Sequence, residues 1–261
     1  VGETSGTEAP HMIKVAPDNQ HWYVSFIAGG YFQKYKTSDN SLVNKVNLGV
    51  GAWNTFAITS DSKKAYAIDW SSPGKIAEID LVAMTRTIYP GYIYPHGSAL
   101  NKNNDKLYVT SQSGNFIYKF NVNDFTNPQL ITLDGSNNPD YASSLDPHEI
   151  IFSPDESKYF LSCQGSNQVR VMQTSNDSLL KVISTGEFPQ EMRVSKSMPY
   201  LFVTCMEDTT SNSAQLGSVS VINYQTLTFV KSIYAGFQSH GVAVDDLHKR
   251  VYISNRNLLS T

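Results

Sequence analysis

The sequence predicts an all-β chain folded as a β-propeller of four-stranded blades, and three observations carry that prediction. A unit recurs with a period of roughly 40–45 residues, which is the length of a four-stranded blade. Each copy holds short runs rich in β-branched and aromatic residues, such as Gln168-Val169-Arg170-Val171-Met172 and Val219-Ser220-Val221-Ile222. Clusters such as Ser-Pro-Asp and Asn-Asn-Asp separate the runs, and no segment shows a helical apolar stripe longer than two turns.

The copies align in chain order. Pro10-His11 leads through Ala16-Pro17-Asp18 to Trp22-Tyr23-Val24-Ser25, and Trp53-Asn54 leads through Thr59-Ser60-Asp61 to Ala65-Tyr66-Ala67-Ile68. The third copy is the clearest: Pro95-His96-Gly97 is followed by the turn Lys102–Asp105 and by Lys106-Leu107-Tyr108-Val109-Thr110. Its third strand is expected over Asn115–Phe120 and its fourth over Pro128–Leu133. Pro147-His148-Glu149 leads through Ser153-Pro154-Asp155 to Tyr159-Phe160-Leu161-Ser162. Pro189-Gln190-Glu191 leads to Leu201-Phe202-Val203-Thr204, and Ser239-His240-Gly241 to Arg250-Val251-Tyr252-Ile253-Ser254.

The second residues of these entries are 11, 54, 96, 148, 190 and 240, so successive copies start 43, 42, 52, 42 and 50 residues apart. A polar insert from Gly135 to Asp146 and a Ser/Thr/Asn-rich insert from Met206 to Gly217 account for the two long intervals, and both read as surface loops. A single four-stranded sheet cannot cover both of its faces; packing each blade between two neighbours does so and leaves only short edges. The chain reads as one domain over 1–261, with blades starting near 10, 53, 95, 147, 189 and 239. It contains five complete blades and part of a sixth, and seven blades are expected in the full protein. With no initiator Met at Val1 and an end in mid-repeat at Thr261, it reads as a processed or partial piece, incomplete at its C-terminus.

Composition narrows the function classes. The 261 residues carry a net charge of -3 and are 40% hydrophobic, 11% aromatic and 16% charged, against about 25% charged in a typical domain. That apolar content excludes a disordered chain. The absence of a Lys/Arg block argues against nucleic acid as a partner. No run approaches the roughly 18 apolar residues of a membrane helix. Two cysteines are too few for a disulfide framework. Few Lys and Glu beside much Ser, Thr, Asn and Tyr suggest a protein of the periplasm, outer-membrane periphery or cell surface of a bacterium.

Pro-His-Gly entries, Ser153-Pro154-Asp155, Leu107-Tyr108-Val109-Thr110 and Val219-Ser220-Val221-Ile222 together resemble the YVTN-type β-propeller repeats, from about Pro10 to Asn255. The resemblance implies a propeller of bacterial or archaeal surface and periplasmic proteins. It is similar to the propellers of lactonases, nitrous oxide reductase and amine dehydrogenases, and it does not transfer an activity.

Four of the six histidines, His11, His96, His148 and His240, hold the same repeat position, ahead of the innermost strand of each blade. They are expected to surround one mouth of the central channel, where converging imidazoles suit a metal or an anion. Their plainer role is to tie loops to the backbone. Trp53 and Asn54 replace the motif in the second copy and Gln190 replaces His in the fifth. Glu149, Glu191 and Arg193 follow two of the entries, as rim ion pairs or, in a lactonase-like site, as a general base. The binding-face candidates are therefore His11, Trp53, His96, His148, Glu149, Gln190, Glu191 and His240. Cys163 and Cys205 end equivalent second strands and read as small buried thiols, with a disulfide or a metal as the alternatives. The weak metal candidates are His96, His148, Cys163 and Cys205. Tyr92, Tyr94, Trp53, Trp70, Phe188 and Phe237 gather near the entries, for contact with a partner or for packing between blades.

Three functions fit these residues. The first is a non-enzymatic scaffold or recognition module of the cell envelope, binding an envelope or outer-membrane protein through one face and needing no cofactor. The second is a propeller enzyme, a lactonase-type hydrolase or metal-dependent oxidoreductase, with its site and a metal ion at the His-rich mouth. The third is a glycan-binding module using Tyr and Trp. No catalytic residue is assigned. The first is the preferred expectation.

Overall fold

The computed structural model describes residues 8–209 and 216–256. The chain divides into two compact units: residues 1–112 with 118–129, and residues 113–117 with 130–261.

The first unit contains two complete blades and most of a third. Blade 1 is β1 (Pro10–Val15), β2 (His21–Phe26), β3 (Tyr31–Lys36) and β4 (Leu42–Asn47). Blade 2 is β5 (Trp53–Ile58), β6 (Lys64–Asp69), β7 (Gly74–Asp80) and β8 (Thr85–Tyr92). Blade 3 is β9 (Pro95–Leu100), β10 (Lys106–Ser111), β11 (Phe116–Asn121) and β12 (Asp124–Thr132), and the division between units falls within β11 and β12.

The second unit continues with blade 4, β13 (Pro147–Phe152), β14 (Lys158–Cys163), β15 (Gln168–Gln173) and β16 (Leu179–Ser184). Blade 5 is β17 (Pro189–Val194), β18 (Tyr200–Cys205), β19 (Ser218–Asn223) and β20 (Thr228–Tyr234). A two-stranded sixth follows, β21 (Ser239–Asp245) and β22 (Arg250–Asn255). Within every blade the sheet order follows the chain order, and Gln164–Ser166 forms a single 3₁₀ turn. The fold class is thus as the repeat predicts: all-β, five four-stranded antiparallel blades and part of a sixth.

Burial differs by strand position. Second strands such as β14 and β18 are buried almost end to end, because both faces of the sheet pack on neighbouring blades. Simple alternation is therefore lost in the middle of a blade. Fourth strands such as β4 and β16 are almost wholly exposed. Pro90 and Pro128 lie in fourth strands, the edge position that tolerates a residue without an N–H. In the first unit Tyr23 stacks on Phe32 at 5.5 Å within blade 1, and Phe32 meets Phe56 of blade 2 edge-on at 5.0 Å. In the second, Phe160, Val169 and Val171 pack with Met192, Leu201 and Val203 between blades 4 and 5.

Two boundaries differ from the sequence reading. The entry residues do not precede the first strands but open them, as Pro10, Pro95, Pro147 and Pro189 show. Strand β12 starts at Asp124, four residues before the expected Pro128. Of the two inserts, residues 134–140 are pinned by Asn115: its Nδ2 donates to Asp134 Oδ2 at 2.8 Å and its Oδ1 accepts from the Asp140 amide at 2.7 Å. The Met206–Gly217 insert lies partly outside the described residues.

The Pro-Asp turns act through the carboxylate. Asp155 accepts from Ser153 Oγ at 2.6 Å and from the Ser157 amide at 3.1 Å, and these bonds hold its carboxyl down at about 2. Neighbouring turns are laced together. Asn104 Nδ2 donates to Ser60 Oγ at 2.7 Å, and Asp246 accepts from Ser195 Oγ and from the Lys196 amide at 2.9 Å.

Candidate functional site

One device recurs at the start of all six blades. The ladder between the first and second strands is interrupted by a β-bulge at the second entry residue. In blade 1 Pro10 pairs with Phe26 and Met12 with Ser25, which leaves His11 as the extra residue. The same skip falls at Asn54, and at His148 and His240. It also spans His96 in blade 3 and Gln190 in blade 5. A bulge turns a side chain away from the regular pleat, and bulges of this kind re-aim side chains at sites. The residue just before the bulged strand is left-handed in five blades: Ala9, Tyr94, Asp146, Phe188 and Gln238, with φ between 40° and 57°. Such a conformation is uncommon for a non-glycine residue and persists only where the surrounding bonds fix it.

A hydroxyl fixes the bulge. Thr110 Oγ1 accepts from the Gly97 amide at 2.8 Å, Ser162 Oγ from the Glu149 amide at 3.1 Å, and Ser254 Oγ from the Gly241 amide at 3.1 Å. Hydroxyls at this repeat position also reach the next blade, and Ser162 does both. Ser25 Oγ donates to Asn54 O at 3.3 Å, Ser162 Oγ to Gln190 O at 2.6 Å, and Thr204 Oγ1 to His240 O at 2.5 Å. In blade 2 Ile68 stands where the other blades carry the hydroxyl. There Thr55, on the first strand, donates to His96 O at 2.5 Å instead. In blades 1, 4 and 5 the serine or threonine near the end of the second strand therefore latches its blade to the bulge of the next.

In the first unit the bulged residues are His11, Asn54 and His96. His11 Nδ1 lies 2.7 Å from Asn54 O, and because a carbonyl only accepts, the ring carries its proton on Nδ1. The rings of His11 and His96 meet edge-on at 6.5 Å, and Trp70 lies edge-on to His96 at 5.7 Å. Trp53 holds the first entry place rather than the bulge; it is fully buried, and its Nε1 donates to Gly49 O at 2.9 Å. Among the aromatic candidates Tyr92 is buried, whereas Trp70 and Tyr94 remain 37% and 40% exposed.

In the second unit the bulged residues are His148, Gln190 and His240, again two imidazoles with an amide in the blade between. The rings of His148 and His240 meet edge-on at 6.3 Å. Gln190 Nε2 donates to Gln164 Oε1 at 2.7 Å, and Gln164 Nε2 donates to Asp146 Oδ2 at 2.6 Å. Burial pushes the Asp146 carboxyl up to about 6, and the Gln164 bond works against that rise. Glu149 and Glu191 are both buried. Glu191 Oε2 lies 3.8 Å from Arg193 Nη1, an ion pair along one strand, and Arg193 Nη1 donates to Met192 O at 2.6 Å.

Cys163 and Cys205 are both free and buried, so the disulfide alternative does not hold. Burial pushes the Cys163 thiol up to about 12 and the Cys205 thiol to about 11, which keeps both protonated at neutral pH. Among the described residues no three His, Cys, Asp or Glu side chains converge as a metal site requires. No helix among them is long and apolar enough to cross a membrane. Sequence reasoning did not find Asp146, Gln164 or the hydroxyl latch. The latch had a visible signal, since Ser25, Thr110, Ser162, Thr204 and Ser254 share one repeat position.

Blades of this form define the class: the chain is a β-propeller. No protein-family model matches it, and no curated protein matches its sequence. Solved structures do. Hydrazine synthase from Kuenenia stuttgartiensis matches with a TM-score of 0.74 at 16% identity, over 98% of this chain and 78% of that one. Streptogramin B lyase matches with a TM-score of 0.78 at 11% identity, over 97% and 78%. A chain of a nidogen/laminin complex matches with a TM-score of 0.68 at 12% identity, over 88% and 81%. These likenesses concern the fold. They join enzymes to a protein–protein complex, and so assign no activity.

Proposed function

We propose that the chain is a YVTN-type propeller acting as a non-enzymatic scaffold of the bacterial cell envelope, capturing a protein partner at the entry ends of its blades. The observation that carries this reading is the repeated bulge. Every blade carries one polar side chain at its bulge, His11 and His240 part-exposed and the other four buried, and hydroxyl bonds hold the bulge backbone in blades 2 to 6, so a partner reaching it meets groups whose positions are fixed before binding. Half-exposed Trp70 and Tyr94 in the first unit add the aromatic contact area typical of recognition surfaces. The same two residues favour a glycan as the second reading, because sugars dock on exposed aromatic planes.

The test replaces imidazoles with the amides that other blades tolerate at the same position. His11→Asn and His240→Gln keep a polar side chain in the bulge, as Asn54 and Gln190 do. Partner affinity is expected to fall at least tenfold, with the melting temperature nearly unchanged. Unchanged affinity with a lowered melting temperature makes these histidines structural and overturns the reading.

A further inference from the structure

The chain of bonds from Asp146 to Gln190 fixes the direction of an amide. A carboxylate only accepts, so the Gln164 amide cannot be reversed: its Nε2 faces Asp146 Oδ2 at 2.6 Å and its Oε1 faces Gln190. Gln190 must then turn its Nε2 towards Gln164 Oε1, at 2.7 Å. The carbonyls of Pro189 and Phe188 lie on the same side, 3.4 Å and 3.5 Å from that nitrogen. Gln190 is only 2% exposed, and Oε1 is its remaining hydrogen-bonding atom. The bulge of blade 5 therefore presents an acceptor.

A second observation points the same way. Glu191, the next residue along the strand, is buried, and its Oε1 has no hydrogen-bond partner among the described residues. Glu149 is buried at the equivalent place in blade 4. Arg193 lies 3.8 Å from the other Glu191 oxygen, Oε2, and donates the same Nη1 to Met192 O, which leaves Oε1 without a donor. A buried carboxylate oxygen without a donor is costly, and a cation brought alongside offsets that cost.

We infer that the entry end of the second unit, with Gln190 Oε1 in the bulge between those of His148 and His240 and with Glu149 and Glu191 next in their strands, binds a primary ammonium group supplied by a lysine of the protein partner. An ammonium suits these acceptors better than a guanidinium. It is a compact charge with three rotatable donors, whereas the planar fork of arginine needs two parallel acceptors. The inference rests on the partner-binding reading above.

The probe is n-butylammonium, with acetate as the control of opposite charge, followed by NMR of the intact protein. A saturable shift of the Gln190 side-chain amide is expected with n-butylammonium alone. Binding is expected to weaken at least tenfold in Gln190→Leu and in Glu191→Gln, the latter nearly isosteric and so a check should the first variant fold poorly. No saturable shift, or a shift produced by acetate instead, overturns the inference. The two readings fail separately. If acetylating the partner's lysines leaves its affinity unchanged, the ammonium site falls and the scaffold stands. If n-butylammonium binds while no partner contacts the entry ends, the scaffold falls and the site stands.

Discussion

Ser162 holds two bulges at once: its Oγ donates to Gln190 O in the next blade at 2.6 Å and accepts from the Glu149 amide of its own blade at 3.1 Å. Both partners are buried backbone groups. Ser162→Ala should therefore leave two of them unsatisfied and destabilise the fold by about 1–3 kcal/mol, read by urea denaturation.

The exception at blade 2 makes the complementary test. His96 O already accepts from Thr55 Oγ1, so Ile68→Thr gains no latch and removes buried apolar surface. The variant should lose about 1–2 kcal/mol. A stability gain instead shows that the hydroxyl at this place is worth more than its partner carbonyl suggests.

Gly74 has no room for a methyl group. A Cβ there lies 2.4 Å from Pro95 Cδ and 2.5 Å from Asp69 O, at the contact of β7 with the entry of blade 3. Gly74→Ala should cost at least about 2 kcal/mol through a forced backbone shift, and should move the amide resonances of Pro95's neighbours.

The thiols give a simple chemical check. With Cys163 held up at about 12 and Cys205 at about 11 by burial, neither should react with a thiol reagent in the folded protein at pH 7. Both should react in denaturant. Fast labelling of either one in the native state contradicts its placement.

Acid should loosen the turns. Asp155 and Asp246 are both held at about 2, below the ordinary 3.8, by hydroxyl and amide donors. Their stabilisation is complete above pH 3.8 and fades as pH falls through about 2, because protonation removes the acceptor charge. Carboxyl-carbon NMR titration should find both in that range, and Ser153→Ala should move Asp155 back towards 3.8.

Much of the fold was legible because repetition amplifies weak signals. Tyr159-Phe160-Leu161-Ser162 alone is one short apolar run, but the same run at one period in six copies is a blade. The shared position of His11, His96, His148 and His240 was equally plain. The bulge was not, because His11 and Met12 differ in backbone geometry and not in any residue preference. For the same reason Trp53 stood out at the second entry, although the bulge belongs to its neighbour Asn54. The Asp146–Gln164–Gln190 chain joins an insert, a 3₁₀ turn and a strand from two blades, and no local spacing records such a meeting.

The central claim is that the entry ends of the blades, and not the outer turns, meet a partner. Site-specific photo-crosslinking in cells tests it most directly, with benzoylphenylalanine in place of Tyr94 at an entry or of Val82, exposed in the β7–β8 turn. The account predicts a discrete protein adduct from position 94 and none from position 82. Adducts from position 82 alone, or equally from both, contradict it.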